Sequence, residues 1–476
     1  MLNKKLVLLI FLIIFVTLPS IADTIQGLPL HVQKITNNVI RMWVGDYMSS
    51  TAISAIATQK GIIVIDTTDV SSIDQGFRKI IAKEFQRDDF KYLINTHGHA
   101  DHTNGNGVYN DCEIIAHENA IELIKTNFSN FSEMQKFFDG FKLRLNEELN
   151  SEKLTDNKKA LINEQIKFYS IAQESMKANS KPTFPTKTFK EKLTLDCGDA
   201  TLELFQAGGT HTTSDIFILY KEKGILFTGD IMADKWLTDI PGCLANFKIQ
   251  AGTSQDYITL QQNWKELLDK KDQIKLYIPG HWNAELSPNG FQDRYNYFIT
   301  LIDAVKIMSQ KGQDLPQFVA AYTLKNIYPQ LVDSPGFSQS NHIGSIYHLY
   351  SIYSGKISAS LEIQKILQKD LFIAQFPRLR EEILKARDKY FILEEDINRV
   401  GYFLLQQIKE PTGAIALFEF NVQLFPNSWN AYDSLAEAYY TNGEKAKALQ
   451  LFKKAVEMNP KNENGKNFIT RIEKEL

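Results

Sequence analysis

The most constraining feature of this chain is one short segment, Thr96-His97-Gly98-His99-Ala100-Asp101-His102. Packing alone does not account for so many imidazoles beside a carboxylate, because such groups are costly to bury unpaired. Neutral imidazole and carboxylate oxygen are the natural ligands of Zn²⁺ and similar ions. The segment follows directly on Phe90 to Asn95, which reads as a short buried strand. It is therefore expected to be a loop at the C-terminal edge of a sheet. There a turn can aim His97 and His99 at one point and Asp101 and His102 at another, with Gly98 and Ala100 small enough to let the backbone fold tightly between them.

The surroundings fit an α/β domain. Residues 25 to 66 read as strands, ending in the β-branched run Gly61-Ile62-Ile63-Val64-Ile65 and then Asp66. Ser71 to Phe85 reads as a helix, and Glu113 to Ala116 as a strand leading to His117, which is expected to open a helix as a cap or surface residue. Strand character returns at Lys192 to Phe205, Asp215 to Tyr220, Gly224 to Phe227 and Ile274 to Ile278, with a helix at Thr259 to Leu268. Between the two strand regions, residues 118–180 are rich in Lys, Glu, Asn and Phe and poor in Gly and Pro. They read as two or three inserted helices, expected to wall or lid a cleft.

The ordered motifs resemble those of the metallo-β-lactamase fold superfamily. The run His97-x-His99-x-Asp101-His102 matches its signature. Asp66 matches the Asp ending an early strand, His211 the His after a Gly-rich turn (Gly208-Gly209-Thr210), Asp230 the acid after Thr228-Gly229, and His281 the His of Pro279-Gly280-His281. The resemblance spans roughly residues 30–285. It implies an α/β fold, an αββα sandwich carrying the helical insertion, and two divalent metal ions, with zinc expected although iron and manganese suit such sites. One metal would be held by His97, His99 and His211, the other by Asp101, His102 and His281, with Asp230 bridging. A metal-bridged hydroxide would be the nucleophile, and Asp101 would orient it or relay its proton as the catalytic residue. Asp66 would steady a ligand or the His-rich loop; a strand-end cap is the plainer alternative.

Two positions depart from the pattern. Thr210 and Trp282 stand where the family commonly has Gly. Neither change removes a ligand, but Trp282 would reshape the pocket wall or stack on substrate. Lys235, shortly after Asp230, would pair with an anionic substrate group, unless it is simply solvated. Family members cleave β-lactams, lactones, thioesters, phosphodiesters and sulfate esters. Zinc β-lactamases usually carry Cys or Ser near the position of Asp230, so its presence resembles the hydroxyacylglutathione hydrolases, lactonases and phosphodiesterases. The expected activity is hydrolysis of an ester, lactone, thioester or amide-like bond in a small-molecule substrate. The alternatives are a class B-type β-lactamase and, in a different class, a protein-interaction scaffold whose metal domain is vestigial.

The two ends of the chain carry separate signals. Lys4 and Lys5, the apolar run Leu6 to Val16 and the small residues Ser20 and Ala22 have the pattern of a signal peptide over residues 1–22. This implies bacterial export to the periplasm or beyond, with no membrane span after cleavage. The hydrolase domain is expected over 23–305 and a helical linker region over 306–394. An all-α region with tetratricopeptide-like repeats is expected over 395–476, where Ala414, Phe418 and Pro426 recur after 34 residues as Ala448, Phe452 and Pro460. Such repeats would serve a protein partner or self-association.

Composition narrows the rest. A length of 476 residues suggests two or three domains. With 43% hydrophobic and 23% charged residues the chain is globular rather than disordered. A formal net charge of −3 offers no basic field for nucleic acid. Cys112, Cys197 and Cys243 are an odd set with no framework spacing, expected to be buried or free thiols.

Overall fold

The computed structural model describes residues 24–46, 50–129, 131–150, 154–178, 181–231, 235–236, 249, 251–282, 284–332, 338–367 and 369–476. The expected signal peptide and Cys243 lie outside the described residues. The chain divides into two compact units, one reaching to Tyr297 and including Gln330–Ser338, the other formed by Phe298–Pro329 and Gln339–Leu476.

Among the described residues the first unit contains one two-stranded pairing and two large sheets. Eight strands form one, in chain order: β1 (Thr24–Ile25), β2 (Leu28–Thr36), β3 (Val39–Val44), β4 (Ile53–Thr58), β5 (Gly61–Ile65), β6 (Phe90–Ile94), β7 (Glu113–His117) and β8 (Lys187–Phe189). The first five strands are joined antiparallel, whereas β5 to β8 run parallel. The second sheet contains β9 (Lys192–Asp196), β10 (Thr201–Gln206), β11 (Ile216–Tyr220), β12 (Ile225–Gly229) and, beyond β13 (Lys235–Trp236), β14 (Leu276–Pro279), in the order β14-β12-β11-β10-β9.

Alternation along the strands builds two cores. In β5, Ile62 and Val64 face a helical layer and join Ile73, Phe77 and Ile81 of α1 (Ser71–Phe85). Ile63 and Ile65 face the other way and meet Leu202, Leu204, Ile216, Ile218 and Ile278 of the second sheet. β5 therefore has both faces covered, which explains its unbroken β-branched run; each such buried side chain contributes about 1.5–3 kcal/mol. On the far side of the second sheet, Phe217 packs edge-on against Trp264 of a helix spanning Ser254–Asp269. That helix starts on a capping box between Thr253 and Asp256. The result is helix, sheet, sheet and helix in layers.

The insertion forms three helices: Ala120–Ser129, after the one-turn α2 (Ala100–Thr103), then Phe131–Leu149 and Asp156–Ala178. The last two contribute side chains to a core. Phe138, Phe168, Tyr169 and Ala172 join the core beneath the first sheet, because their apolar faces complete the layer that α1 begins. The first of the three reaches the His-rich loop through Asn127, which donates to the Gly98 carbonyl. His117 also differs from expectation: it ends β7 rather than opening a helix and is 3% exposed, with Nε2 2.8 Å from the Lys190 carbonyl.

The second unit is helical, apart from a two-residue parallel pairing of Ile357–Ser358 with Tyr390–Phe391, which is too short to leave a sequence pattern. Its last helices, Pro411–Leu424, Trp429–Thr441, Lys445–Met458 and Glu463–Glu475, pack each on the next. Ala414 and Phe418, and their counterparts 34 residues on, Ala448 and Phe452, are all fully buried. No described helix is long and apolar enough to cross a membrane.

Candidate metal centre

Parallel pairing aligns the carboxyl ends of β5 with β6 and of β12 with β14. Loops leaving those ends must converge, as in other open α/β arrangements. Asp66 follows β5, Thr96 to His102 follow β6, Asp230 follows β12 and His281 follows β14. His211 lies in the turn between β10 and β11. All seven ligand candidates therefore meet at one edge of the sandwich.

They meet as two groups. One ligand atom each from His97, His99 and His211, and one each from Asp101, His102, Asp230 and His281, lie within 4.8 Å of one another in their respective groups. In the first group, His99 Nδ1 is 3.1 Å from His97 Nε2 and 2.9 Å from His211 Nε2. In the second, Asp230 Oδ2 is 2.9 Å from His281 Nε2 and 3.3 Å from His102 Nε2. The same oxygen is 3.9 Å from His211 Nε2, so Asp230 stands between the groups.

The electrostatics of the groups differ. Burial lowers the pKa of His97 well below the ordinary imidazole value, lowers His99, and brings His211 to about 3. All three shifts favour the neutral imidazole, the form that offers a nitrogen lone pair to a metal. In the second group burial disfavours a charged His102 and His281, but Asp230 and Asp101 outweigh it and raise both. Burial would likewise raise Asp101 and Asp230, and the adjacent His102 and His281 overcome it and hold both below the carboxylate range. Two carboxylates and two imidazoles converging in a buried place call for positive charge there. The donor set fits divalent cations on a further observation: His102 Nε2 and Asp230 Oδ1 are buried without a hydrogen-bond partner.

Asp66 holds this arrangement from behind. Its carboxylate accepts from Thr96 N at 2.7 Å and Thr96 Oγ1 at 2.8 Å, and lies 3.0 Å from His102 Nδ1. It does so from a left-handed backbone conformation (φ 63°), which costs energy in a non-glycine residue. Trp282 stacks on Trp43, with ring centroids 5.8 Å apart and planes inclined by 5°. Lys235 begins a two-residue strand paired with Ala284–Glu285, and its side chain lies outside what is described. Cys112 and Cys197 are buried free thiols.

Residues 48–281 match the family model described as the metallo-beta-lactamase superfamily. This segment is a metallo-beta-lactamase superfamily domain. Members of the superfamily are generally hydrolases. Similar solved structures include a metallo-beta-lactamase from Pontibacter korlensis, at 16% identity over 56% of this chain and 98% of that one, with a TM-score of 0.35. The DIM-1 metallo-beta-lactamase is similar at 16% identity over 57% of this chain and 98% of that one, with a TM-score of 0.36. A double mutant of the sec-alkyl sulfatase PisA1 is similar at 14% identity over 90% of this chain and 65% of that one, with a TM-score of 0.45. No curated relative matches the chain.

Several residues that brace the metallo-beta-lactamase domain's donor loops escaped the sequence reading. Ser214 Oγ accepts from Gly98 N at 3.0 Å, Asn127 Nδ2 donates to the Gly98 carbonyl at 2.9 Å, and Asn119 Nδ2 to the Thr213 carbonyl at 2.9 Å. Asp215 accepts from the backbone N–H of His211 and of Thr212. Thr51 Oγ1 donates to Asp101 Oδ2 at 3.2 Å, and Arg41 Nη2 to two carbonyls beside Gly280. All are single polar side chains without a local pattern. Only the Thr212-x-x-Asp215 spacing, a capping-like motif, was a usable signal.

Proposed function

We propose that this chain is an exported hydrolase that holds two zinc ions and cleaves an ester, lactone, thioester or amide-like bond in a small molecule. The observation that carries this reading is the position of Asp230, with one oxygen within 2.9–3.9 Å of His281, His102 and His211 and so between two complete donor groups. His97, His99 and His211 would hold one ion, Asp101, His102 and His281 the other, and Asp230 would serve both. Two such ions, when bound, supply Lewis acidity and a nucleophile near neutral pH.

The chain's own residues divide the remaining work. Asp101 is the most water-facing of the second group, with its side chain 31% exposed against 0% for His102 and 6% for Asp230. It is held ionised, with one oxygen fixed by Thr51, and is placed to orient an attacking water and take its proton. Asp66 keeps His102 in the tautomer whose Nε2 faces the centre. Trp282, backed by Trp43, would form an apolar wall for substrate, and Lys235 would meet an anionic group on it. The positive, apolar and small-residue stretches of residues 1–22 support export to the periplasm. The 34-residue recurrence supports tetratricopeptide-like repeats that dock a protein partner or a second copy.

A hydrolysis screen with a lactone, a thioester, a phosphodiester and a β-lactam, with and without chelator, tests the reading. Chelator-sensitive turnover of at least one carbonyl substrate is expected. Turnover confined to the phosphodiester would overturn the bond class, and turnover unaffected by metal removal would overturn the metal chemistry.

A further inference from the structure

Arg41 is a buried cation on β3, 7% exposed, and no carboxylate pairs with it among the described residues. Its Nη2 donates to the carbonyls of Pro279 (2.8 Å) and His281 (2.6 Å), while its Nε has no partner. Removing an unpaired guanidinium from water is expensive, and an apolar side chain would suit an interior strand position better. What the cation gains is a grip on the carbonyls either side of Gly280, the backbone that carries His281.

The same backbone is gripped at neighbouring points by the same part of the sheet. Ala52 N donates to the Gly280 carbonyl at 2.8 Å, and Thr51 forms a bridge with His281. Trp43, two residues beyond Arg41, stacks on Trp282. Thr51 also donates to Asp101. The three-histidine group is mounted elsewhere, through Ser214 and Asn127 on Gly98 and Asn119 on Thr213. His281 therefore stands on supports that the three-histidine group does not share, while Asp66 braces the loop that carries His97, His99, Asp101 and His102 alike.

We propose that Arg41 is a positioning residue that sets the affinity of the Asp101–His102–His281 group for its metal ion, independently of the three-histidine group. This rests on the two-metal reading given above. The guanidinium fixes where the His281 backbone stands, so that its ring and the ring of His102 address one point.

Equilibrium dialysis of Zn²⁺ against the full chain tests this, comparing the native protein with Arg41→Met and Arg41→Lys, with the melting curve of each metal-free form as a check on folding. The native chain is expected to take up two ions. Arg41→Met should keep the first affinity and lose about 10–100-fold in the second, the range seen when a ligand's supporting partner is removed. Arg41→Lys should recover part of that loss, since an ammonium can still donate to both carbonyls. Unchanged affinities in Arg41→Met, or equal weakening of both, would overturn the proposal. If Arg41→Met does not fold, Arg41→Lys decides by the same criterion: selective weakening of the second ion supports the proposal, and equal or no weakening overturns it. A native chain that takes up no Zn²⁺ defeats the two-metal reading itself, and this proposal with it, whereas a failure confined to the variants defeats only the role of Arg41.

Discussion

His102 Nδ1 lies 3.0 Å from Asp66 Oδ2, and a carboxylate can only accept there, so the imidazole presents Nε2 to Asp101 and Asp230. Asp66 thus ties the end of β5 to the ligand loop after β6, and its strained backbone is the cost of reaching both Thr96 and His102.

Asp66→Asn should leave the fold intact, because Asn tolerates the left-handed conformation. Its amide N–H would instead confront His102 Nδ1–H, or its orientation would sacrifice a bond to Thr96. Zinc affinity is expected to fall about 10–100-fold, as measured by competition with a chromophoric chelator. Unchanged affinity would reduce Asp66 to a strand-end cap.

Gly280 lies against the centre, where an added Cβ would collide with Asp230 Oδ1 and come 3.1 Å from His102 Cε1. Gly280→Ala should therefore displace Asp230 and abolish high-affinity uptake of at least one ion, while the far-ultraviolet circular dichroism stays native. Full metal uptake by this variant would mean that Asp230 is not held where the structure places it.

Asp101→Asn keeps the size of the side chain but removes its ability to take a proton. If Asp101 acts as a base, kcat should drop about 10²–10⁴-fold. Metal content and KM for the same substrate would show whether the loss is chemical: a variant equally slow but lacking one ion would make Asp101 a ligand only.

Asp74, in the first turn of α1, is buried and accepts from the backbone N–H and hydroxyl of Thr68, just beyond Asp66. Burial raises its pKa to about 7, against about 3.9 for an unfolded Asp. The native state then binds more protons than the unfolded state between those values, so this group's contribution to stability falls as pH rises through that window. Asp74→Asn lacks the titration. Its stability relative to the native chain should rise between about pH 4 and 7, by at most about 1.4 kcal/mol per unit. Paired melting curves across that range check this, and a pH-independent difference would contradict it.

The sequence exposed the parts of the site whose chemistry is conspicuous. His97 to His102, His211, Asp230 and His281 carry side chains that packing does not explain, and each follows a strand or turn marked by Gly or β-branched residues. α1 was equally plain, over the same residues Ser71–Phe85. Arg41 was not, because its role depends on carbonyls some 240 positions away that have no sequence identity. His117 was misread because a strand end and a helix start look alike when only two residues separate them. The inserted helices were recognised as helices, but whether an apolar face covers a cleft or completes a core is decided by what lies opposite.

The central claim, two cations on two groups joined by Asp230, is tested most directly by elemental analysis of the purified full chain alongside His99→Ala and His281→Ala. About two zinc ions per chain are expected for the native protein and about one for each variant, with chelator-sensitive hydrolysis lost in both variants. A native protein with well below one metal per chain, whose activity survives His99→Ala, would contradict it.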